Sequence, residues 1–406
     1  MKIQKKNILL IILVIGFIAR IGFMLIYSDV EKDYYWEFGN IVKNLQAGNG
    51  YSLFYFRNDT LQQDYKPLVK PYPSAFMPPA YVYYLYPFLK IDNVKSRNIL
   101  IFISQIILNL LLILSIYYFS SKYFSERIGI ISAVIVALLP EFIFSCVTYN
   151  AVIHYHLLII ISLFLMMDRN FFSDNKKIIP FFILSVLIMY FRSEFSVFLL
   201  IIFISFLFKK QFKLFFSGAA IIIILFSPWV IRNYIVFDKF IPFTTSGGLN
   251  LYRGHNDIAI GNWGSWEFTN EIKNKSTPDN YEINYNEFYF NKAKEFISNN
   301  LISEVKYVFI KIYNLWIINP GDARSFNLAY LIPSLLILIL AVIGFIKSFS
   351  LLKYKYIYIF LFYSTLMAVV FLALPRYQTM MKIALVPFAA YSIDLIISKF
   401  KKSGNV

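Results

Sequence analysis

Cysteine is almost absent: the 406 residues include one, Cys146. A single thiol excludes an internal disulfide and any zinc site built from cysteines. Charge is scarce as well, at 15% Asp, Glu, Lys and Arg, against about 25% in an ordinary soluble domain. With 58% hydrophobic and 19% aromatic residues, the chain lacks the polar surface to cover itself in water. It reads as a bilayer protein, which excludes a cytosolic enzyme, a secreted disulfide scaffold and a disordered tail. Three histidines leave little for metal chemistry. His154 and His156 stand two apart on one apolar stretch and point to different faces, with no third ligand at metal spacing. No metal site and no cofactor is assigned, and a divalent cation has no support in the ligand pattern. Also missing are internal repeats, a Rossmann fingerprint, Gly-x-Ser-x-Gly and His-Glu-x-x-His. Gly247-Gly248 has no Lys-Ser/Thr after it and so reads as a turn rather than a P-loop.

What is present is a series of long apolar runs. A membrane helix needs about 17 to 25 mostly apolar residues, and such runs lie at 8–27, 98–120, 128–147, 149–167, 214–231, 328–346, 356–374 and 379–397. The stretch 178–208 is too long for one helix and is broken by Arg192-Ser193-Glu194, which predicts a short helical hairpin. The predicted fold class is an all-α polytopic membrane protein with about ten transmembrane helices and interfacial helices between them. Three parts are expected: a core over 1–237 that includes the loop 28–97, a large loop with an interfacial helix over 238–326, and closing helices over 327–406. The first run is too long for a cleaved signal and lacks a small-residue cleavage site, so it is expected to remain as an anchor.

The formal net charge is +16, and its placement says more than its sum. If Met1 faces the cytoplasm, the inside segments carry seventeen Lys and Arg against four acids, or +13. The loops 28–97 and 232–326 then fall outside with eight basic against seven acidic residues and ten of each. Lys and Arg concentrate in short cytoplasmic loops of membrane proteins. Both termini are therefore expected in the cytoplasm, the long loops outside, and no nucleic-acid partner is needed to explain the basic excess. Segment 301–318 contains Glu304, Lys306 and Lys311 and reads as an interfacial helix with Trp316 at headgroup level. Segment 34–46 sets Phe38, Ile41, Val42 and Leu45 on one helical face, and Gly48-Asn49-Gly50 ends it.

Charges outside these loops are the informative ones. A charge at membrane depth costs about 2.5 to 3.5 kcal/mol on insertion scales. Arg192, Arg376 and Lys382 fall near the outer ends of runs, and Arg232 follows Pro228-Trp229 closely. Four cations converging there suit a phosphate or diphosphate, which guanidinium groups bind bidentately. The competing reading is that each snorkels or pairs locally, as Arg192 does with Glu194 if the two are partners. Asp29, Glu31 and Asp33 precede the first surface helix; a carboxylate there either caps the helix or serves as a general base toward a hydroxyl. His255, in Arg253-Gly254-His255-Asn256-Asp257, is placed to meet a polar substrate or water. Tyr81, Trp263 and Trp266 offer faces for a sugar ring or form an interfacial belt.

Four stretches carry a family likeness: DYYWEFGNIVKNLQAGNGYS from Asp33 to Ser52, MPPAYVYYLYPF from Met77 to Phe88, SPWVIRNYIVFDKFIPFTTSGGLNLYRGHND from Ser227 to Asp257, and PRYQTMMKIALVPF from Pro375 to Phe388. They resemble the GT-C membrane glycosyltransferases, in particular the bacterial relatives of the protein O-mannosyltransferases and the aminoarabinose transferase (families 39 and 83). The resemblance implies a GT-C fold in a bacterial inner or plasma membrane, a polyprenyl-phosphate sugar donor, and an extracytoplasmic site serving envelope glycan chemistry. It also implies an acceptor hydroxyl on lipid, glycan or protein, an aspartate base mapping to Asp33, and Arg376 on the lipid phosphate. Tyr81, Tyr377, Asn250 and His255 are the expected substrate-lining residues. The chain departs from the family in two places: the acidic pair is here the looser Asp29, Glu31, Asp33 set, and Gln378 stands where a second Arg is common. With 406 residues and no large soluble C-terminal domain like that of oligosaccharyltransferases, it is expected to transfer a single sugar, by one displacement that inverts the anomeric carbon. The competing functions are a lipid-linked polysaccharide polymerase or ligase, which the early acidic loop and flat helix disfavour, and a non-enzymatic lipid-linked sugar transporter, whose paired inverted halves are not found here.

Overall fold

The structure, a computed structural model, describes residues 2–57, 60–257, 280–320 and 323–403. From the N-terminus, α1 (Lys2–Tyr27) leads into the first long loop, which holds α2 (Trp36–Gln46), the hairpin β1 (Tyr55–Arg57) and β2 (Thr60–Gln62), and α3 (Pro79–Leu85). There follow α4 (Val94–Tyr123), α5 (Glu126–Leu138), α6 (Pro140–Phe144), α7 (Val152–Met166), α8 (Asn175–Phe191), α9 (Phe195–Phe208) and α10 (Phe212–Phe237). The second long loop carries α11 (Gly247–Gly254), α12 (Tyr281–Asn299) and α13 (Leu301–Trp316). The chain closes with α14 (Leu328–Lys347), α15 (Leu351–Val370) and α16 (Pro375–Ser403).

Every apolar run of the sequence is thus helical. Among the described residues five helices, α1, α4, α10, α14 and α16, are long and apolar enough to cross a membrane, and α5 with α6 makes a sixth if that bent pair is one span. The chain is an all-α polytopic membrane protein. Helices α7, α8 and α9 have 15, 17 and 14 residues. At about 1.5 Å per residue they reach roughly 21 to 26 Å, short of the ~30 Å hydrocarbon layer. The outward faces of α1 and α10 expose Leu10, Ile18, Leu25, Ile223, Ile224 and Ile235, the surface a helix shows to lipid.

The run 128–147 is straight in expectation and bent by 57° in the structure. Pro140 is the cause: it has no N–H to give Val136 O. Arg20 supplies the missing donors, with Nη2 2.9 Å from Val136 O and Nη1 2.8 Å from Ala137 O. Its Nε bonds Asn109 Oδ1 at 2.9 Å. Arg20, a charge inside an apolar run, is therefore buried as a helix cap.

The two long loops interlock at one end of the helices. Helix α2 buries Ile41 and Val42 and ends at Gly48, whose φ of +80° favours glycine. Beyond it, Leu53 N bonds Tyr72 O at 3.1 Å and Ser74 N bonds Tyr51 O at 2.9 Å. The second loop joins through Thr245 N to Ala75 O, 3.1 Å. The motif Pro228-Trp229-x-x-Arg232-Asn233 makes the fastening. Trp229 Nε1 donates to Phe243 O at 2.8 Å and Asn233 Nδ2 to Ile241 O at 3.0 Å, so the second loop folds back onto α10. Arg232 Nη1 and Nη2 donate to Ser74 O at 2.7 Å and Tyr51 O at 2.8 Å, which ties down the first loop.

Candidate functional site

Where the loops meet the helix ends there is a cavity of about 460 Å³. The first loop contributes Phe38, Met77 and Pro78, and the start of α7 contributes Asn150 and Tyr155. The α8–α9 turn and the start of α9 add Arg192, Ser193, Glu194, Ser196 and Val197, and the second loop Thr244, Ser246 and Asn250. Tyr363, Ser364, Met367 and Ala368 of α15, Phe371 and Leu372 just after it, and Arg376, Tyr377 and Met380 of α16 complete it. The lining therefore combines hydroxyl and amide groups with two guanidinium groups beside an aromatic ring.

That ring is Tyr377, which lies 4.8 Å from the Arg192 guanidinium and 5.4 Å from that of Arg376. Arg192 ends α8, its N–H bonding Ile188 O at 2.7 Å, and its side chain turns back to Glu194. Nε and Nη2 lie 2.6 and 2.5 Å from one oxygen, Oε1. Arg376 is exposed to the cavity, and among the described residues no carboxylate forms an ion pair with it. With Arg192 and Glu194 cancelling, the lining keeps one net positive charge, an arrangement suited to an anion with a polar neutral group beside it.

Of the residues singled out in the sequence, Arg192, Arg376, Tyr377 and Asn250 meet in this cavity. Lys382 does not. Its Nζ lies 2.5 Å from Glu141 Oε1 and also bonds Ser334, with both charged side chains only 1% exposed. The phosphate role expected for Lys382 is thereby replaced by a buried pair joining α6, α14 and α16. Arg232 is likewise corrected, because its guanidinium is spent on backbone carbonyls. Tyr81 is fully buried against Phe38, its hydroxyl 3.3 Å from Gln105 Oε1, and is not part of this cavity's lining.

His255 is a strut. Its Nδ1 is 2.6 Å from Glu304 Oε2 and its Nε2 2.9 Å from Val370 O, while Lys311 Nζ donates to Val369 O at 3.0 Å. These contacts satisfy the carbonyls that end α15. Burial brings the Lys311 ammonium down to about 8, and burial with the neighbouring Lys311 lowers the imidazole of His255. Gly254 sits so close that a Cβ would stand 1.5 Å from Phe371 O. The Gly247-Gly248 pair starts helix α11 instead of forming a turn, and Gly248 N bonds Asn286 Oδ1 at 2.7 Å.

The acids of the first loop lie outside the cavity. Asp33 has Oδ1 2.7 Å from Arg97 Nη2 and Oδ2 2.8 Å from Lys43 Nζ, so both oxygens are taken by cations. Asp29 Oδ1 accepts from Glu31 N at 3.1 Å, and Glu31 pairs with Lys95 at 3.6 Å. Trp263 and Trp266 lie outside the described residues. Glu282 is a buried acid that sequence reading passed over. Its Oε1 accepts from Ala75 N at 2.6 Å and from Thr245, and burial pushes its carboxyl up to about 7. Tyr155, Tyr363 and Asn150 in the cavity were also unmarked, since tyrosine and asparagine in apolar runs carry no charge signal. Arg253 stood in a quoted motif without a role; it bonds Asn250 and lies within electrostatic reach of Glu37, Tyr377 and Arg376. Among the described residues no group of three or more His, Cys, Asp or Glu is placed to hold a metal ion.

Solved structures of an archaeal oligosaccharyltransferase from Archaeoglobus fulgidus are similar to this chain. The apo form matches with a TM-score of 0.54 at 12% identity, covering 99% of this chain and 52% of that one. AglB from the same organism, in complex with an inhibitory peptide and a dolichol-phosphate, matches with a TM-score of 0.56 at 12% identity, covering 100% and 52%. The chain spans about half the length of these proteins. No protein-family model matches, and no curated protein matches. At this identity the likeness is one of fold, and the fold is that of the GT-C membrane proteins.

Proposed function

We propose that this GT-C-fold chain is a membrane glycosyltransferase that moves a sugar from a polyprenyl-phosphate donor to an acceptor hydroxyl on lipid, glycan or protein. The observation that carries the reading is the cavity itself, where Arg376, with no ion-pair partner among the described residues, stands beside Tyr377 in a lining that also holds Thr244, Ser246, Asn250 and Ser193. A phosphodiester has one negative charge, matching the one net positive charge of the lining. The neutral polar side chains of the lining offer donors and acceptors for sugar hydroxyls.

The polyprenyl tail stays in the bilayer while the head enters between the loops, and the outward apolar faces of the helices fit that arrangement. In the transition state the C–O bond to phosphate lengthens and negative charge gathers on the leaving oxygen. Arg376 stabilises it there, an interaction stronger in the transition state than in the ground state. Attack from the far side inverts the anomeric carbon. The Lys and Arg distribution supports an orientation with the short basic loops in the cytoplasm and the cavity at the extracytoplasmic face, and the family resemblance supports a bacterial inner or plasma membrane.

The test is transfer from a panel of undecaprenyl-phosphate hexoses and pentoses by purified protein in liposomes. Arg376→Ala is expected to weaken binding of undecaprenyl phosphate by roughly 10- to 100-fold, as loss of a charge-assisted bond does. Lipid export without sugar transfer from any such donor would overturn the proposal.

A further inference from the structure

Helix α9 starts at the cavity and α15 ends there, so Lys209, just past the end of α9, and Lys355, near the start of α15, lie at the opposite end of the helices. We propose that these two lysines form a binding site for the phosphate of an anionic membrane lipid, phosphatidylglycerol or one with the same headgroup chemistry, in the leaflet on the side of the short basic loops. The inference stands apart from the glycosyl-transfer reading above.

The turn between α7 and α8 sets Phe172 against both helices, its ring 5.8 Å from that of Phe206 on α9 and 6.4 Å from that of Tyr356 on α15. Lys209 Nζ lies 4.4 Å and Lys355 Nζ 5.7 Å from the centre of the Phe172 ring. The two ammonium groups are near enough to interact directly. Like charges held that close repel each other, and Lys355 is half-buried, where water screens the repulsion less. An anion between them replaces that repulsion with two charge-assisted hydrogen bonds.

The chain does not supply the anion. Among the described residues no carboxylate forms an ion pair with either lysine. The acids of the α7–α8 turn are engaged elsewhere: Asp168 holds Lys122 and Lys177 at 2.7 Å each, and Asp174 holds Lys177 at 3.2 Å. Lys353 takes no part in the site. It sits over Phe124 and Tyr354 at 5.8 and 5.0 Å, and Tyr354, at φ −113° and ψ 15°, breaks the helix between it and Lys355.

The surroundings favour a lipid over a soluble anion. Lys210 and Lys213 are exposed beside Lys209 and add to the positive potential. Phe208, Phe212 and Phe216 are exposed next to them, the last two one turn apart on α10. Because α10 runs from this end towards the opposite side of the membrane, that apolar strip leads away from the lysines into the hydrocarbon layer. Acyl chains hanging from a phosphate at Lys209 and Lys355 cover it, whereas a free anion leaves it bare.

The test is native mass spectrometry of the full chain in detergent, titrated with phosphatidylglycerol and with phosphatidylcholine of the same acyl chains. Wild type is expected to prefer phosphatidylglycerol by roughly 10- to 30-fold, at about fivefold per lysine. Lys209→Gln with Lys355→Gln should bring the two lipids to within about threefold of each other, and Lys209→Arg with Lys355→Arg should keep the preference. Lys209→Gln alone, a change at an exposed position, should lose about fivefold and keeps the test open if the double variant does not fold. Lys6→Gln with Lys347→Gln removes two exposed charges from α1 and α14 on the same side and should leave the preference within about twofold of wild type. Equal binding of the two lipids by wild type overturns the site, as does an unchanged preference in the Lys209 and Lys355 glutamine variants or an equal loss in the Lys6 and Lys347 control. Inorganic phosphate, added against chloride at matched ionic strength, is expected to leave the lipid bound; displacement by it overturns the lipid assignment in favour of a free anion.

Discussion

At the scale of single residues, membrane-depth charge has three different uses in this chain. Arg20 closes the carbonyls that Pro140 leaves open, Lys382 joins Glu141 in a buried pair, and Arg376 points into the cavity. Sequence assigns all three the same cost, and only the partner decides the role. The pair makes a clear prediction. Lys382→Met alone leaves Glu141 uncompensated and should cost about 3 to 5 kcal/mol, while Lys382→Met with Glu141→Gln should recover most of it. Thermal unfolding in detergent measures both. Glu282 adds a pH dependence. Its docked carboxyl, at about 7 against an ordinary 4.5, binds a proton more tightly than when undocked. Its contribution to stability is thus present at acid pH and falls as pH rises through that window. Glu282→Gln should therefore gain melting temperature over wild type as pH goes from 5 to 8, with little difference at the acid end.

At the scale of elements, α13 shows how polarity can be turned inside out. Its buried face holds Lys311 and Asn314, while Ile302, Val305, Phe309 and Tyr313 are exposed. A helix in water does the reverse. This pattern belongs to a helix lying against acyl chains, as the interfacial reading of 301–318 requires. Spin labels at 302 and 309 should show oxygen accessibility and membrane immersion, with a label at the loop residue 68 in water. Arg232 belongs to this scale as well. The motif around it is the most specific in the sequence, yet it fastens loops. Arg232→Ala should raise the donor KM more than it lowers kcat, through loosening of the segments 51–54 and 72–75 read by amide exchange. The likeness of that motif to a family was visible in the sequence; its mechanical role was not, because Tyr51 and Ser74 lie far away along the chain.

At the scale of the whole molecule, orientation is the prediction. Cys146 is buried, so single-cysteine substitutions can be probed without removing it. A membrane-impermeant maleimide is expected to label Leu68→Cys in intact cells and Ser173→Cys only after permeabilisation. The reverse pattern would invert the topology. The sequence by itself determined the membrane environment, the positions of the helices and the break at Arg192 to Glu194. These follow from local apolar length and interruption, which bilayer thickness turns directly into helices. Tertiary structure decided which charges face one another. It placed Arg192, Glu194, Arg376 and Tyr377 around one cavity and took Arg232 and Lys382 out of it. The reason is physical: a side chain's pairing depends on distances between helices remote in sequence, and periodicity along one helix carries no information about them.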